Sequence, residues 1–387
     1  MNIQYWFKGP PMPYWTGGHP FPGTANYAAD TLLRVWFDAK SLTLFAMLFA
    51  VGLCIQRENV VAKGLRWGPY AFRRLGAMLV FGILHITLLW NGDVLHQYAL
   101  CALLILPFLK RTRRTLGRWV AGMLVLRVIM LTLRALSVAG SAAPAPGAGI
   151  GQTPDPAMLS AWSQKLGEGY TQHSWLAVAH IRLWDWTQFI RLFLPQMVLM
   201  LFFTFLVGLW VWSTGVLQDP ASHRTTIARV ARWGLVLGVA MNVLAAYTTS
   251  VVDSLLPHWG WAKLVLPPIA AANVFGAIVL ALGIGAALVL LWQDATWQAR
   301  LRPLTAVGRM GFTNYIMQSV ICTFLFYGWG LGWYNTVGPA RGIAIGLVIF
   351  SVQIALSNWW LRRFRFGPLE WVWRSATYLS AGPFRRA

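Results

Sequence analysis

The stretch His85-Ile-Thr-Leu-Leu-Trp-Asn-Gly-Asp-Val-Leu-His96 sets two histidines and an aspartate within twelve residues of otherwise apolar sequence. An imidazole is the side chain best suited to take a proton near neutral pH, and a carboxylate beside it can orient it or stabilise its charge. His85, Asp93 and His96 are therefore the candidate catalytic group: a base, its partner and a second base, able to remove a proton from a hydroxyl or an amine. The competing reading makes His85 a donor satisfied by a neighbouring backbone carbonyl.

What must position them is a membrane. Of the 387 residues, 57% are hydrophobic and 11% are charged, against about 25% charged in a soluble domain. A net charge of +21 would otherwise suggest a nucleic-acid partner, which the hydropathy argues against. Cys54, Cys101 and Cys322 lie in apolar runs without metal-ligand or disulfide spacing; no metal is expected. The start, Met-Asn-Ile-Gln-Tyr-Trp, lacks a cleavable signal pattern.

Apolar runs of bilayer length fall at about 41–56, 74–90, 94–109, 117–138, 187–212, 229–250, 267–292, 310–328 and 341–361. The expected fold is all-α: a single polytopic membrane domain over 1–387, a helical bundle of about nine transmembrane helices. Residues 1–40 form an aromatic, turn-rich outer segment, and 41–138 the first four helices. An Ala/Pro/Gly linker opens the outer loop 139–186, which carries an interfacial helix or two. Five helices follow over 187–361, then the tail 362–387. Trp90-Asn-Gly-Asp93 reads as the turn of a tight hairpin between the second and third spans.

Charge fixes the expected sidedness. The loops 57–74, 110–118, 213–232 and 293–309, with the tail, hold 22 of the 32 Lys and Arg but four acids. The opposite set holds seven of each. The positive-inside rule then puts the tail in the cytoplasm and the His85–Asp93 turn outside.

Three further polar sets need a reading. Arg73, Arg74 and Arg309 lie at the basic face, where planar guanidinium groups suit phosphate or merely anchor the bundle. With them go Asn314, Gln318 and Ser319 of an unusually polar span, the first two four residues apart and so on one helix face; polar glue between helices is the equal alternative. Arg127, Arg134 and Arg191 lie within or at the edge of spans, two turns apart in the first pair, and suit an anion or a snorkelling stripe. His19, in Gly17-Gly-His-Pro20, is a second candidate base or an idle loop histidine. Glu370 is expected to pair with a nearby arginine in the tail.

The chain resembles the YeiB-like bacterial membrane proteins. The likeness rests on Leu44-Phe-Ala-Met-Leu-Phe-Ala-Val-Gly52, Arg73-Arg-Leu75, Gly82-Ile-Leu-His85, Asn91-Gly-Asp-Val-Leu95 and Tyr98-Ala-Leu100. The later part is similar to domain of unknown function 418, on Gly308-Arg-Met-Gly-Phe-Thr-Asn-Tyr-Ile-Met-Gln-Ser319, Phe326-Tyr-Gly-Trp-Gly-Leu-Gly332 and Phe364-Arg-Phe-Gly-Pro-Leu-Glu-Trp-Val-Trp-Arg374. The resemblance covers nearly the whole chain, and its motif takes in His85 and Asp93. Two departures stand out: Met1-Asn-Ile3 falls where the family's first helix would close, so that helix is expected to be missing or to lie upstream, and Ala50 replaces a usual glycine.

More distantly, the family resembles membrane acyltransferases that take an acyl group from a cytoplasmic thioester. That implies acyl-coenzyme A as a donor substrate rather than a resident cofactor, Arg73, Arg74, Arg309, Asn314, Gln318 and Ser319 as its inner mouth, and an envelope acceptor at His85. The expected location is the bacterial inner membrane, with the lipid bilayer and a small-molecule substrate as partners, no nucleic acid, and room for a homo-oligomer. A transporter for a small, even anionic, solute is the rival, and a structural or signalling role the third reading.

Overall fold

The computed structural model describes residues 21–140, 156–255 and 262–386, with side chains described for 21–133, 157–158, 160–246 and 275–386. Among them the secondary structure is helical: α1 (Thr24–Trp36), α2 (Lys40–Ala62), α3 (Trp67–Leu88), α4 (Leu95–Ile105), α5 (Arg113–Gly140), α6 (Pro156–Tyr170), α7 (Trp175–Ser213), α8 (Arg224–Leu255), α9 (Ala262–Trp292), α10 (Ala295–Arg309), α11 (Gly311–Phe326), α12 (Pro339–Arg363) and α13 (Pro368–Tyr378). A 3-10 turn over Leu106–Lys110 extends α4.

Seven described segments are long and apolar enough to cross a bilayer: Thr24–Ala62, Trp67–Leu88, Arg113–Leu133, Trp175–Ser213, Arg224–Ala246, Phe275–Trp292 and Pro339–Arg363. They correspond to seven of the nine expected spans. The other two correspond to α4 with its 3-10 turn, Leu95–Lys110, and to α11, of 16 residues, both shorter than the seven. Phe72, Leu133, Leu347 and Val348 stay more than half exposed, as a lipid-facing surface requires.

Two segments differ from expectation. Residues 24–36, expected within a turn-rich segment, form α1, because Thr24-Ala-Asn-Tyr-Ala-Ala-Asp-Thr-Leu-Leu-Arg-Val-Trp36 follows Pro22-Gly23 with no breaker and turns Leu33 and Val35 inward. Where one or two helices are expected in the outer loop 139–186, the structure has α6 and the first three turns of α7. Residues 175–213 run as one helix of 39 residues, since Ser174 caps the start by accepting Ala177 N–H and Pro195 does not break it. At 1.5 Å per residue that is about 58 Å, well beyond the roughly 30 Å hydrocarbon core.

The bundle closes on aromatic and small side chains. Tyr98 meets Phe49 and Phe205 with ring centroids 5.5 and 5.4 Å apart. Gly208 of α7 has no room for a Cβ against the backbone of Met47 in α2. Gly234 faces Gly283, and Gly238 faces Leu280, so α8 and α9 touch backbone to backbone, the close approach that small residues permit between membrane helices.

Candidate functional site

The site begins where α3 stops. A helix end leaves carbonyls without partners, and here a buried arginine supplies them. Arg182 of α7 donates from Nε to Ile86 O (3.0 Å), from Nη1 to Leu89 O (3.0 Å) and from Nη2 to Thr87 O (2.5 Å). One turn further along α7, Asp185 accepts hydrogen bonds from Trp162 Nε1 (2.8 Å), Tyr170 OH (3.0 Å) and Asn91 Nδ2 (2.5 Å). The start of α7 and helix α6 therefore hold the turn 89–94 from outside. From within, Gly82 brings α3 so close that a Cβ there would strike the His96 backbone nitrogen and the Asp93 carboxylate.

That clamp fixes Asp93 between two imidazoles. Its Oδ1 lies 2.9 Å from His85 Nδ1, and its Oδ2 lies 2.8 Å from both His96 Nδ1 and the His96 backbone N–H in the first turn of α4. Tyr315 OH donates to Oδ1 at 3.3 Å. Burial alone would push the carboxyl's pKa up, but the hydrogen bonds from His85 and His96 outweigh it and hold Asp93 down at about 2. An anionic carboxylate accepts N–H from each imidazole through Nδ1, and a ring that gives its single N–H there keeps a lone pair on Nε2.

The two lone pairs meet different fates. His85 Nε2 lies 2.8 Å from Ser319 Oγ, so the hydroxyl donates to it. Ser319, His85 and Asp93 thus form a line of hydroxyl, imidazole and carboxylate, at 4%, 2% and 1% exposure. Among the described residues, buried His96 Nε2 has no partner, and neither has the indole Nε1 of Trp186; the two ring centroids stand 6.1 Å apart.

Ser319 reaches His85 because the tail anchors α11. Glu370 Oε1 accepts the backbone N–H groups of Phe312 (2.7 Å) and Thr313 (2.9 Å), and Oε2 accepts the Thr313 hydroxyl (2.5 Å). The carboxylate thereby caps the N-terminus of α11, where a negative charge is favoured. This corrects the expected arginine pairing: the free N–H groups of α11 take the carboxylate, while Arg309 bonds Arg365 O and Arg374 lies over the Phe366 ring. Trp373 of α13 donates to Arg74 O at 2.9 Å, and the Arg74 guanidinium sits 3.9 Å from the Trp373 ring centre.

The residues expected at one donor mouth are divided. Ser319 belongs to the histidine cluster. Asn314 donates to Ser357 Oγ (3.0 Å) and Val307 O (3.2 Å), and Gln318 donates to Gln353 Oε1 (2.7 Å). Gln353 in turn donates to Asn314 O at 2.9 Å, which makes this pair a polar seam between α11 and α12. Arg309 donates to Arg365 O at 3.2 Å, and Arg73 is exposed on α3.

Arg127 lies on α5 and the exposed Arg191 on α7, neither with a hydrogen bond or ion pair to a described residue; Arg134 is on α5, its side chain outside the described set. His19 also lies outside the described residues. A separate cavity of about 460 Å³ is lined by apolar residues including Met47, Val51, Ile227 and Ala281, with Arg113 and His223 among its polar members, and shares no residue with the histidine cluster.

Sequence reading missed the clamp. Arg182 and Asp185 fall in a segment that looks interfacial, where charges are ordinary. Their spacing of three, one turn of a helix with Trp162 and Tyr170 nearby, was the available signal.

Comparisons with known proteins agree on one neighbourhood. Residues 211–380 match the family described as "Protein of unknown function (DUF418)". The chain is 33% identical over 374 residues to "Uncharacterized protein YxaH" of Bacillus subtilis (strain 168), covering 94% of this chain and 85% of that protein. It is 27% identical over 352 residues to "Uncharacterized protein YeiB" of Escherichia coli (strain K12), covering 89% and 83%. A third relative, from Bacillus acidopullulyticus, is "Uncharacterized 39.9 kDa protein in amylase 3'region", 25% identical over 355 residues, or 89% of this chain and 82% of that one. No solved structure matches.

Proposed function

The chain belongs to the YeiB-like DUF418 family of bacterial membrane proteins, and for it we propose transfer of an acyl group from a thioester donor to a hydroxyl or amine acceptor. One observation carries this reading: a buried imidazole held by a carboxylate at Nδ1 and aimed at a hydroxyl through Nε2. A base needs its orienting partner on one side and the proton it takes on the other, within hydrogen-bond reach. His85 is the base and Asp93 its positioning residue. The orphaned His96 Nε2 and Trp186 Nε1 supply the acceptor's remaining hydrogen bonds. Acyl-coenzyme A enters from the basic face marked by Arg73, Arg74 and Arg309, and the acceptor comes from the opposite side, the envelope side of the inner membrane.

A transporter would use the same polar residues to line a passage for solute. Direct bonding of His85 to both Asp93 and Ser319, the order of acid, base and hydroxyl that proton transfer needs, favours chemistry over passage. The test uses the purified full chain in lipid nanodiscs with acetyl- or palmitoyl-coenzyme A, following coenzyme A release and donor binding. His85→Ala is expected to lower release by roughly 100-fold or more while donor affinity stays within about threefold. Wild-type protein that consumes neither thioester, while its proteoliposomes accumulate solute, would hand the case to transport.

A further inference from the structure

The hydroxyl in the place of a substrate's is the protein's own. His85 has one lone pair to offer, and Ser319 Oγ occupies it at 2.8 Å. A serine within a membrane helix ordinarily returns its single proton to the carbonyl one turn back. Here that contact, to Tyr315 O, is 3.4 Å long, so the proton goes to the shorter bond with His85. The remaining side of the imidazole is tied to Asp93, which fixes the tautomer that can accept it. This is the arrangement of an activated nucleophile: hydroxyl, base and orienting acid in sequence. An acceptor attacking the donor directly would first have to displace Ser319 from His85.

We propose that Ser319 is the covalent carrier, so that transfer proceeds by double displacement through an acyl-serine ester. The proposal rests on the acyl-transfer reading and deepens it. In the first half, Ser319 Oγ gives its proton to His85 Nε2 and attacks the thioester carbonyl carbon. The C–S bond breaks, and sulfur leaves as the free thiol with the proton from His85. In the second half, the acceptor hydroxyl gives its proton to His85 Nε2 and attacks the ester carbonyl. The C–Oγ bond breaks, and Oγ recovers the proton. No oxidant, metal or further reactant is needed. Asp93 stays a carboxylate throughout and balances the charge that His85 carries between transfers.

The nanodisc-held full chain is incubated with acetyl-coenzyme A and, separately, palmitoyl-coenzyme A, then quenched in acid. Coenzyme A release is measured beside peptide mass spectrometry of α11. The expected result is one acyl group on Ser319 in wild type, none in Ser319→Ala or His85→Ala, and release lowered by roughly 1,000-fold in Ser319→Ala. Ser319→Cys, checked with Ser319→Ala for a monodisperse peak on size-exclusion, should carry the acyl group as a thioester that neutral hydroxylamine removes, whereas the serine ester resists it. Release that persists within threefold in a folded Ser319→Ala, with no adduct on wild type, overturns the serine carrier and leaves direct transfer standing. Absence of both release and adduct in wild type overturns the carrier and the acyl-transfer reading together.

Discussion

At the scale of single residues, Asp93 does the most with the least. One carboxylate positions two imidazoles and takes a backbone N–H of the next helix. Its pKa in the fold, about 2 against an ordinary 3.8, means that folding favours the anion. A depressed carboxyl contributes stability that is full above the ordinary value and lost as pH falls through the folded one. Thermal melting in detergent should therefore lose about 2 kcal/mol between those pH values through this group. Asp93→Asn should start less stable near neutral pH and approach wild type in acid. A constant gap between the two proteins down to the folded value would rule out that assignment.

At the scale of elements, the α3–α4 hairpin works only because nothing projects from Gly82. A methyl group there would meet the His96 backbone and the Asp93 carboxylate, atoms fixed by the turn rather than flexible chain ends. Gly82→Ala should destabilise the protein by about 1–3 kcal/mol, the usual cost of overpacking. It should lower thioester turnover more than donor binding, because the displaced atoms orient His85. Melting temperature with coenzyme A release checks both, and an alanine variant equal to wild type in each would show that the hairpin yields. The same turn leans on Arg182, whose guanidinium takes three carbonyls around the end of α3. One fully buried cation thus fulfils the capping that a helix end needs where water is scarce.

For the whole molecule, the site depends on parts of the chain far from it. His85 and Asp93 come from the first hundred residues, and Ser319 is 234 positions after His85. The tail then ties their helices together: Glu370 caps α11, while Trp373 bonds the backbone of α3 at Arg74. Phe312 touches both Phe81 of α3 and Trp373, with ring centroids 4.9 and 5.7 Å apart. Glu370→Ala should cost about 1–2 kcal/mol through the lost cap. Turnover should also fall several-fold, since Ser319 lies two turns from the freed end. Melting and release assays on that variant decide the matter; an unchanged protein would mean that the tail merely covers the bundle.

Much of this was legible beforehand, because membrane immersion is written into composition. Chains of apolar residues must become helices where backbone groups find no water, and ionisable groups in such surroundings stand out; hence the helical class, the hairpin turn and the trio His85, Asp93 and His96 follow from sequence alone. Partnership does not. Ser319 looked like a companion of Asn314 and Gln318, since helical spacing tells which residues share a face but not which neighbour that face meets. Glu370 looked like a partner for arginine, since attraction between opposite charges is visible in sequence whereas the free N–H groups of a helix start are visible only once the helix is placed. Whether a hydroxyl stands 2.8 Å from an imidazole depends on how α3 and α11 pass one another, and packing between distant segments is what tertiary structure alone decides.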